Sequence, residues 1–475
     1  MTSYPMSPVD AAWYHMDGPA NLAMVTGALL TRKKLDFDEV REVYRSRLLR
    51  FERFRQRVVE KGFPLATPHW EDMPNFDINQ HMHHIALASP HDETALRSLI
   101  SDLASTPLDH QQPLWHVHVV DDVAGGSALI MRCHHCVADG TAMMTVAREL
   151  FDTAPGGAPQ SDVPHSIPSS EPTAAERLLA MADTAVEVVT HPGQVIEKAA
   201  VVAAGAGMLV RELLRWPDPQ SPLKGEFGLR KRVAWSKPVT IKDVKTIGAR
   251  HGAKVNDVLV ACMTGALRSY LRKRGVDVNH TTVRAMVPVD LRPPERAAAL
   301  GNEFGLVILD LAVTSARATQ RLAVTKKRMD ELKRSPEATA IKVLFEIFGR
   351  GPKALEDFAN ELFGSKASIV MTNVMGPRDV LYLTGVPIDR MIAWAPHPGN
   401  ELGMAISIMS YHGKASLTIG ADARLVPDPE VIAELFNREF QSLLRAAKAP
   451  RTQAVSPSPR EKKTSSRTAA TQPRP

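Results

Sequence analysis

The sequence predicts an α/β protein with mixed α+β sheets in two successive lobes, and three observations carry that expectation. Short alternating strands and amphipathic helices fill the first 155 residues, and the same mixture returns between residues 226 and 447. A polar, Pro-rich break, APGGAPQSDVPHSIPSSEP, separates the two stretches. A chain of 475 residues, 44% of them hydrophobic, is large enough to bury two conventional cores. The expected partition is a first lobe at 1–155, a partly helical linker at 156–225, a second lobe at 226–447 and a disordered basic tail at 448–475. A site between the lobes follows naturally from that arrangement.

Taken in order, Phe37 to Leu49 reads as an amphipathic helix through Val40, Val43, Leu48 and Leu49. QHMHHIAL signals a strand, and Glu93 to Ala104 a second helix. WHVHVV (115–120) alternates as a strand, AGGS (124–127) supplies a turn, and ALIMRCHH returns as the second arm of a hairpin. GTAMMTVARELF then places Met143, Val146, Ala147, Leu150 and Phe151 on one helical face. An Ala-rich helical segment is expected from about 174 to 214, followed by a break at WPDPQSPLKG. In the second unit, VKTIGARHGAKVNDVLVACMTGALRSYL reads as helical around Gly252, and VRAMVPVD and LVILDLAV as strands. GMAISIMSYHGKASLTIGAD reads as a hairpin turning at Tyr411 to Lys414, with a last helix from Pro429 to Ala447.

Composition removes several function classes. The cysteines, Cys133, Cys136 and Cys262, give no disulfide framework and fit a reducing compartment. The N-terminus lacks the basic and apolar regions of a secretory signal. AAVVAAGAGMLV, Ala199 to Val210, is too short to span a bilayer. The net charge of +6 owes much to the C-terminal tail, which is either a solvated leftover or a segment drawn to an anionic membrane surface. No concentrated basic and aromatic surface points to nucleic acid.

The chemistry-bearing stretch is HHCVADG, residues 134–140, in a loop from strand to helix. With Cys133 it spells CHHC, but four consecutive residues cannot converge on one zinc and no second pair completes a cage, so no metal is expected. A neutral histidine suits the activation of a hydroxyl. Adjacent strand residues face opposite ways, so His135 is assigned the base and His134 a packing or orienting role. Asp139 fixes the loop through an arginine, and Gly140 lets the chain turn into the helix. The competing view makes Asp139 a helix N-cap without chemistry. His81, His83, His84, His116 and His118 lie on strand patterns and read as satisfied sheet residues.

HHCVADG resembles the HHxxxDG motif of the CoA-dependent acyltransferase superfamily. Its flanks narrow the resemblance: SPVDAAWYHMDGPANLAM, FRQRVV, HWEDMPNFDINQHMHHIAL, PLDHQQPLWHVHVVDD, VNDVLVACMTGALRSYL, VPVDLRP, GNEFG and TNVMGPRDVLYLTGVPI. Together they are similar to the bacterial wax ester synthase/acyl-CoA:diacylglycerol acyltransferase family over about residues 5 to 447. The resemblance implies chloramphenicol-acetyltransferase-like lobes around a tunnel. It also implies acyl transfer from fatty acyl-CoA, a substrate rather than a cofactor, to diacylglycerol or a long-chain alcohol, with His135 as base. Asn256 and Asp257 match the family's ND motif; Asn256 reads equally as a helix N-cap. Arg292 is by analogy the partner of Asp139, or else a surface arginine. Pro113, Leu114 and Trp115 match its PLW motif and read as architecture. Asp290 and Met375 depart from it, where relatives often carry serine and proline. The expected place is cytoplasmic, peripheral on the inner membrane or on lipid bodies. Two other readings remain at this point, a freestanding amide-forming condensation enzyme and a noncatalytic lipid-binding protein.

Overall fold

The computed structural model describes residues 3–60, 67–156, 218–290, 302, 304–333, 364–396 and 401–450. The first half runs β1 (Ser3–Pro5), α1 (Pro8–His15), β2 (Met24–Thr31), α2 (Phe37–Arg47), β3 (Gln56–Val59), β4 (His69–Asp72), β5 (Met82–Ala86), α3 (Glu93–Ala104), β6 (Trp115–Val123), β7 (Gly126–His134) and α4 (Gly140–Leu150). The second half runs β8 (Lys231–Trp235), β9 (Val239–Thr240), α5 (Ile241–His251), α6 (Val255–Lys273), β10 (Arg284–Asp290), β11 (Phe304–Asp310), α7 (Ala318–Leu332), β12 (Ile369–Met375), β13 (Tyr382–Leu383), β14 (Val386–Trp394), β15 (Met404–Tyr411), β16 (Lys414–Asp422) and α8 (Pro429–Lys448). The expected Ala-rich helix lies outside the described residues, as do most of the linker and the tail.

Two mixed sheets organise these elements, beside a small antiparallel sheet of order β1-β4-β3. One has the order β13-β14-β2-β7-β6-β5, and the other β11-β10-β12-β15-β16-β8 with β9 added on β16. Only β5 runs parallel to its neighbour in the first, whereas β10, β12 and β15 are parallel in the second. Strands β13 and β14, from the second half of the chain, thus complete the first half's sheet, with Ala393 opposite Gly27. At the same residue β14 meets the other sheet, where the Thr418 hydroxyl donates to the Ala393 carbonyl. The chain therefore ties its two sheets together through one continuous strand.

Local chemistry explains where the elements start and stop. The side chain of Asp92 accepts from the Thr94 and Ala95 amides and opens α3 at the expected residue. The segment expected as one helix around Gly252 is two helices. Gly252 takes φ +63 in the left-handed region and ends α5, and α6 begins afresh three residues later. Asn256 is not the cap of α6: Lys254 holds that position, and the Asp257 carboxylate accepts its amide at 2.8 Å. The helix expected to reach Leu49 tightens into a 3-10 turn at Leu48–Arg50.

Each sheet covers its own core. Trp70, Trp115, Phe54 and Tyr44 fill the first, into which Leu383, Met391 and Tyr411 of the second half also pack. In the second, α6 is buried along most of its length, between α8 and the strands Ile369–Met375 and Met404–Tyr411. Lys231 of β8 stitches the halves at one side, its ammonium 2.8 Å from the Asp422 carboxylate and 2.6 Å from the Ala20 carbonyl.

Candidate active site

Strand β7 ends at His134, and the loop that follows is held at both edges. The His134 amide donates to the Leu114 carbonyl at 2.9 Å and the His135 amide to the Ala23 carbonyl at 2.7 Å. Asp139 then caps α4, its carboxylate accepting from the Ala142 amide at 2.8 Å. The capping reading of Asp139 is therefore realised, and Asp139 is also close enough to His135 to favour its protonated form. Arg292, the expected partner of Asp139, lies outside the described residues.

Alternation separates the two histidines as expected. His134 is 2% exposed, and burial holds its imidazole down at about 3. Its Nδ1 accepts from the Cys136 amide at 3.2 Å, and its Nε2 lies 3.8 Å from an Asp17 carboxylate that also binds His110. His135 is half-buried and stacks on Trp13, with ring centroids 4.0 Å apart at 15°. Phe304 meets it edge-on at 6.3 Å. Burial lowers the His135 pKa from the usual histidine value, so the ring is neutral at neutral pH.

Behind His135 runs a buried polar chain that crosses the two halves. The Asn302 amide group donates to the His135 carbonyl at 2.8 Å and to the Asp10 carboxylate at 2.7 Å. Asp10, on α1, pairs with Arg53 at 2.8 Å, and Arg53 donates to the Cys136 and Val137 carbonyls at 3.1 and 3.3 Å. The carbonyls of the motif loop are thus held by a residue just ahead of β11 and by an ion pair of which Asp10 is fully buried and Arg53 4% exposed. An ion pair so enclosed fixes geometry more than it adds stability.

In front of His135 lies a cavity of about 500 Å³ between the two sheets. Trp13, Met144, Met286, Phe304 and Val370 make its wall largely apolar, and Thr141, Asp290 and Asn373 add polar points. Asp290, one of the two expected departures from the family pattern, reaches the first half: its carboxylate accepts from the Thr141 hydroxyl at 3.0 Å. Met375, the other departure, stands at the rim and is 84% exposed.

The structure gathers some of the expected residues here and sends others elsewhere. His135, Asp139 and Gly140 line the cavity; Asn256 and Asp257 do not, being at the head of α6. Trp115 is fully buried, with its indole donating to the Phe54 carbonyl at 2.9 Å, and Leu114 supports His134 from its own carbonyl. Pro113 accepts from the Trp115 amide. Among the strand histidines, His83 and His116 bond each other at 2.9 Å, and burial holds His116 and His118 down at about 3. His81 and His118 are not fully satisfied as expected, the Nε2 of His81 and the Nδ1 of His118 being buried without a partner among the described residues. Cys133 and Cys136 are buried thiols whose pKa values are pushed up by desolvation. Among the described residues no group of three or more metal-ligating side chains could hold an ion.

Sequence reasoning missed Asp10, Trp13, Arg53 and Asn302 as parts of the site. Asp10, Trp13 and Asn302 sit inside SPVDAAWYHMDG and GNEFG, so the signal was their company in those segments rather than any spacing to the histidines.

Comparison with known proteins agrees with this architecture. The pattern of the wax ester synthase/diacylglycerol acyltransferase catalytic domain matches residues 6–259, and that of the family's C-terminal domain residues 300–444. A Mycobacterium tuberculosis protein named a probable diacyglycerol O-acyltransferase, tgs1, is 28% identical over 386 residues, covering 80% of this chain and 82% of that one. The solved wax ester synthase/diacylglycerol acyltransferase from Marinobacter aquaeolei superposes with a TM-score of 0.66 at 20% identity, covering 93% of this chain and 99% of that one. The first condensation domain of the calcium-dependent antibiotic synthetase shares the fold at a TM-score of 0.60 and 17% identity, over 94% and 96% of the two chains. Among the described residues no helix is long and apolar enough to cross a membrane. The chain belongs to the wax ester synthase/diacylglycerol acyltransferase family and is an acyl-CoA-dependent O-acyltransferase of lipid acceptors.

Proposed function

We propose that the acceptor is diacylglycerol, a long-chain alcohol or both, and that His135 is the general base of the transfer. The observation that carries this is the neutral His135 ring, stacked on Trp13 at the wall of an apolar cavity of about 500 Å³. Its Nδ1 is buried, so Nε2 is assigned as the nitrogen that meets substrate. Nε2 accepts the acceptor's hydroxyl proton as the oxygen attacks the thioester carbonyl. The tetrahedral oxyanion collapses, the carbon–sulfur bond breaks, and the CoA sulfur takes the proton back from the imidazolium. Asp139 supports the ring electrostatically and holds the head of α4, while Asn302 and Arg53 keep the loop carbonyls in place.

The likeness to condensation domains is one of fold and carries no amide chemistry to this chain. Both acceptors partition into lipid, so the enzyme works peripherally at the inner membrane or the lipid-body surface, with the basic tail adding attraction to anionic lipid. Salt-sensitive sedimentation with anionic vesicles checks that attachment, and no sedimentation at low salt counts against it. Purified protein given labelled palmitoyl-CoA with hexadecanol, dioleoylglycerol or neither tests the reaction. Ester or triacylglycerol is expected and names the acceptor; thioester consumption without either product would overturn the reading.

A further inference from the structure

Under α4 lies a second cavity, of about 110 Å³, whose wall is apolar apart from Tyr44. Its floor is the first sheet. Met131 of β7, Gly27 of β2 and Ala393 of β14 stand side by side across three strands, with Cys133 and Val25 as the next cross-strand pair. Its roof is Met143, Met144 and Ala147 of α4. These residues lie between a sheet and the helix that covers it, yet Gly27, Met131, Met143, Met144, Ala147 and Ala393 are each only half-buried. The layer is therefore underfilled, which ordinary cores avoid.

Two features connect this gap to the site. Along β7 the side chains of Leu129, Met131 and Cys133 share one face, and the next position on that face is His135. Met144 belongs to the walls of both cavities. A chain entering past Met144 would run along β7 from His135 toward Leu129, so that the gap of about 110 Å³ takes the end of the tail. Methionine side chains bend out of such a path at little cost.

Gly27 is the telling residue. A Cβ built on it comes no nearer than 4.0 Å to any neighbour, so neither crowding nor a positive φ demands glycine there. Glycine inside a strand weakens it, and it commonly marks a place where something else approaches the backbone. We propose that the gap above Gly27 receives the hydrocarbon tail of a substrate, and that Gly27 and Met144 set how long that tail can be. The inference rests on the acyl-transfer reading above.

The test is Gly27→Val and Gly27→Phe, with Gly27→Ala as the milder variant, each checked for an unchanged melting temperature. Turnover is measured along a donor series from butyryl- to stearoyl-CoA with one acceptor, and along an acceptor series from butanol to octadecanol with one donor. The kcat/KM ratio of palmitoyl- to butyryl-CoA is expected to fall roughly tenfold or more in the larger variants, since a methylene denied its apolar pocket is worth about that much. A fall along the donor series assigns the gap to the acyl chain, and a fall along the acceptor series to the alcohol. Equal loss at every length in both series, from folded protein, would overturn the proposal. Calorimetric binding of palmitoyl- against butyryl-CoA gives the same ratio without turnover, so it separates this inference from the catalytic one.

Discussion

On one face of the β7 terminus the His134 ring is 2% exposed, accepts a backbone amide and cannot charge until about pH 3. On the other face His135 lies against Trp13 and opens on a cavity of about 500 Å³. The residue type is the same and the positions adjoin, so the difference belongs to the fold: alternation sends one ring into a buried polar cluster with Asp17 and His110 and the other into the gap between the sheets. Burial has made the first a structural acceptor. It leaves the second neutral but reachable, which is what a base needs.

Removing each ring in turn should separate the two histidines most clearly. His135→Ala is expected to lower kcat/KM by about a hundredfold to ten-thousandfold with little change in melting temperature. Equal losses from both positions, in folded protein, would erase the distinction. Next in size is Asp10→Ala, which leaves the Arg53 charge buried without its partner and is expected to cost about 3–5 kcal/mol in denaturant unfolding. Asn302→Ala should weaken the same chain less and act on kcat through the misplaced His135 loop.

His134→Leu strands the Cys136 amide and is expected to cost about 1–3 kcal/mol of stability. It also carries a pH signature. In the folded protein His134 titrates at about 3. The unfolded chain takes up that proton first, near ~6.5. Stability is therefore full above that value and is lost as the pH falls toward the folded one. The drop in melting temperature on acidification should be smaller in His134→Leu than in the wild type. A variant that loses just as much would show that other groups set the acid sensitivity. The smallest effect expected is for Asp139→Asn, which keeps a capping oxygen for the Ala142 amide but removes the charge near His135. Its melting temperature should stay near the wild type's while the His135 pKa moves lower still.

Much of this was legible in the sequence, for local reasons. HHCVADG, the hairpin before it and the helix after it are set by alternation, a turn and an N-cap, all of which act within a few residues. Helix Glu93–Ala104 has the expected bounds because Asp92 caps it. The continuation through Gly252 was misread because apolar periodicity persists across a residue whose left-handed φ ends a helix. The Asn302–Asp10 contact joins positions 292 apart, and the pairing of β14 with β2 joins segments still more remote. Periodicity reports which face of an element is apolar, not which distant element covers it. The site's supporting chain was hidden for that reason, although Asp10 and Asn302 lay in segments already singled out.

The role of His135 as base is read out by the pH dependence of kcat/KM with palmitoyl-CoA and a saturating acceptor, from about pH 5 to pH 8. If the neutral His135 ring is the base, the profile stays flat above the ordinary histidine value of ~6.5 and falls only below it, as the lowered pKa requires. That acid limb is absent from the residual activity of His135→Ala. A limb centred at or above the ordinary value, or one that persists unchanged in His135→Ala, would contradict the account.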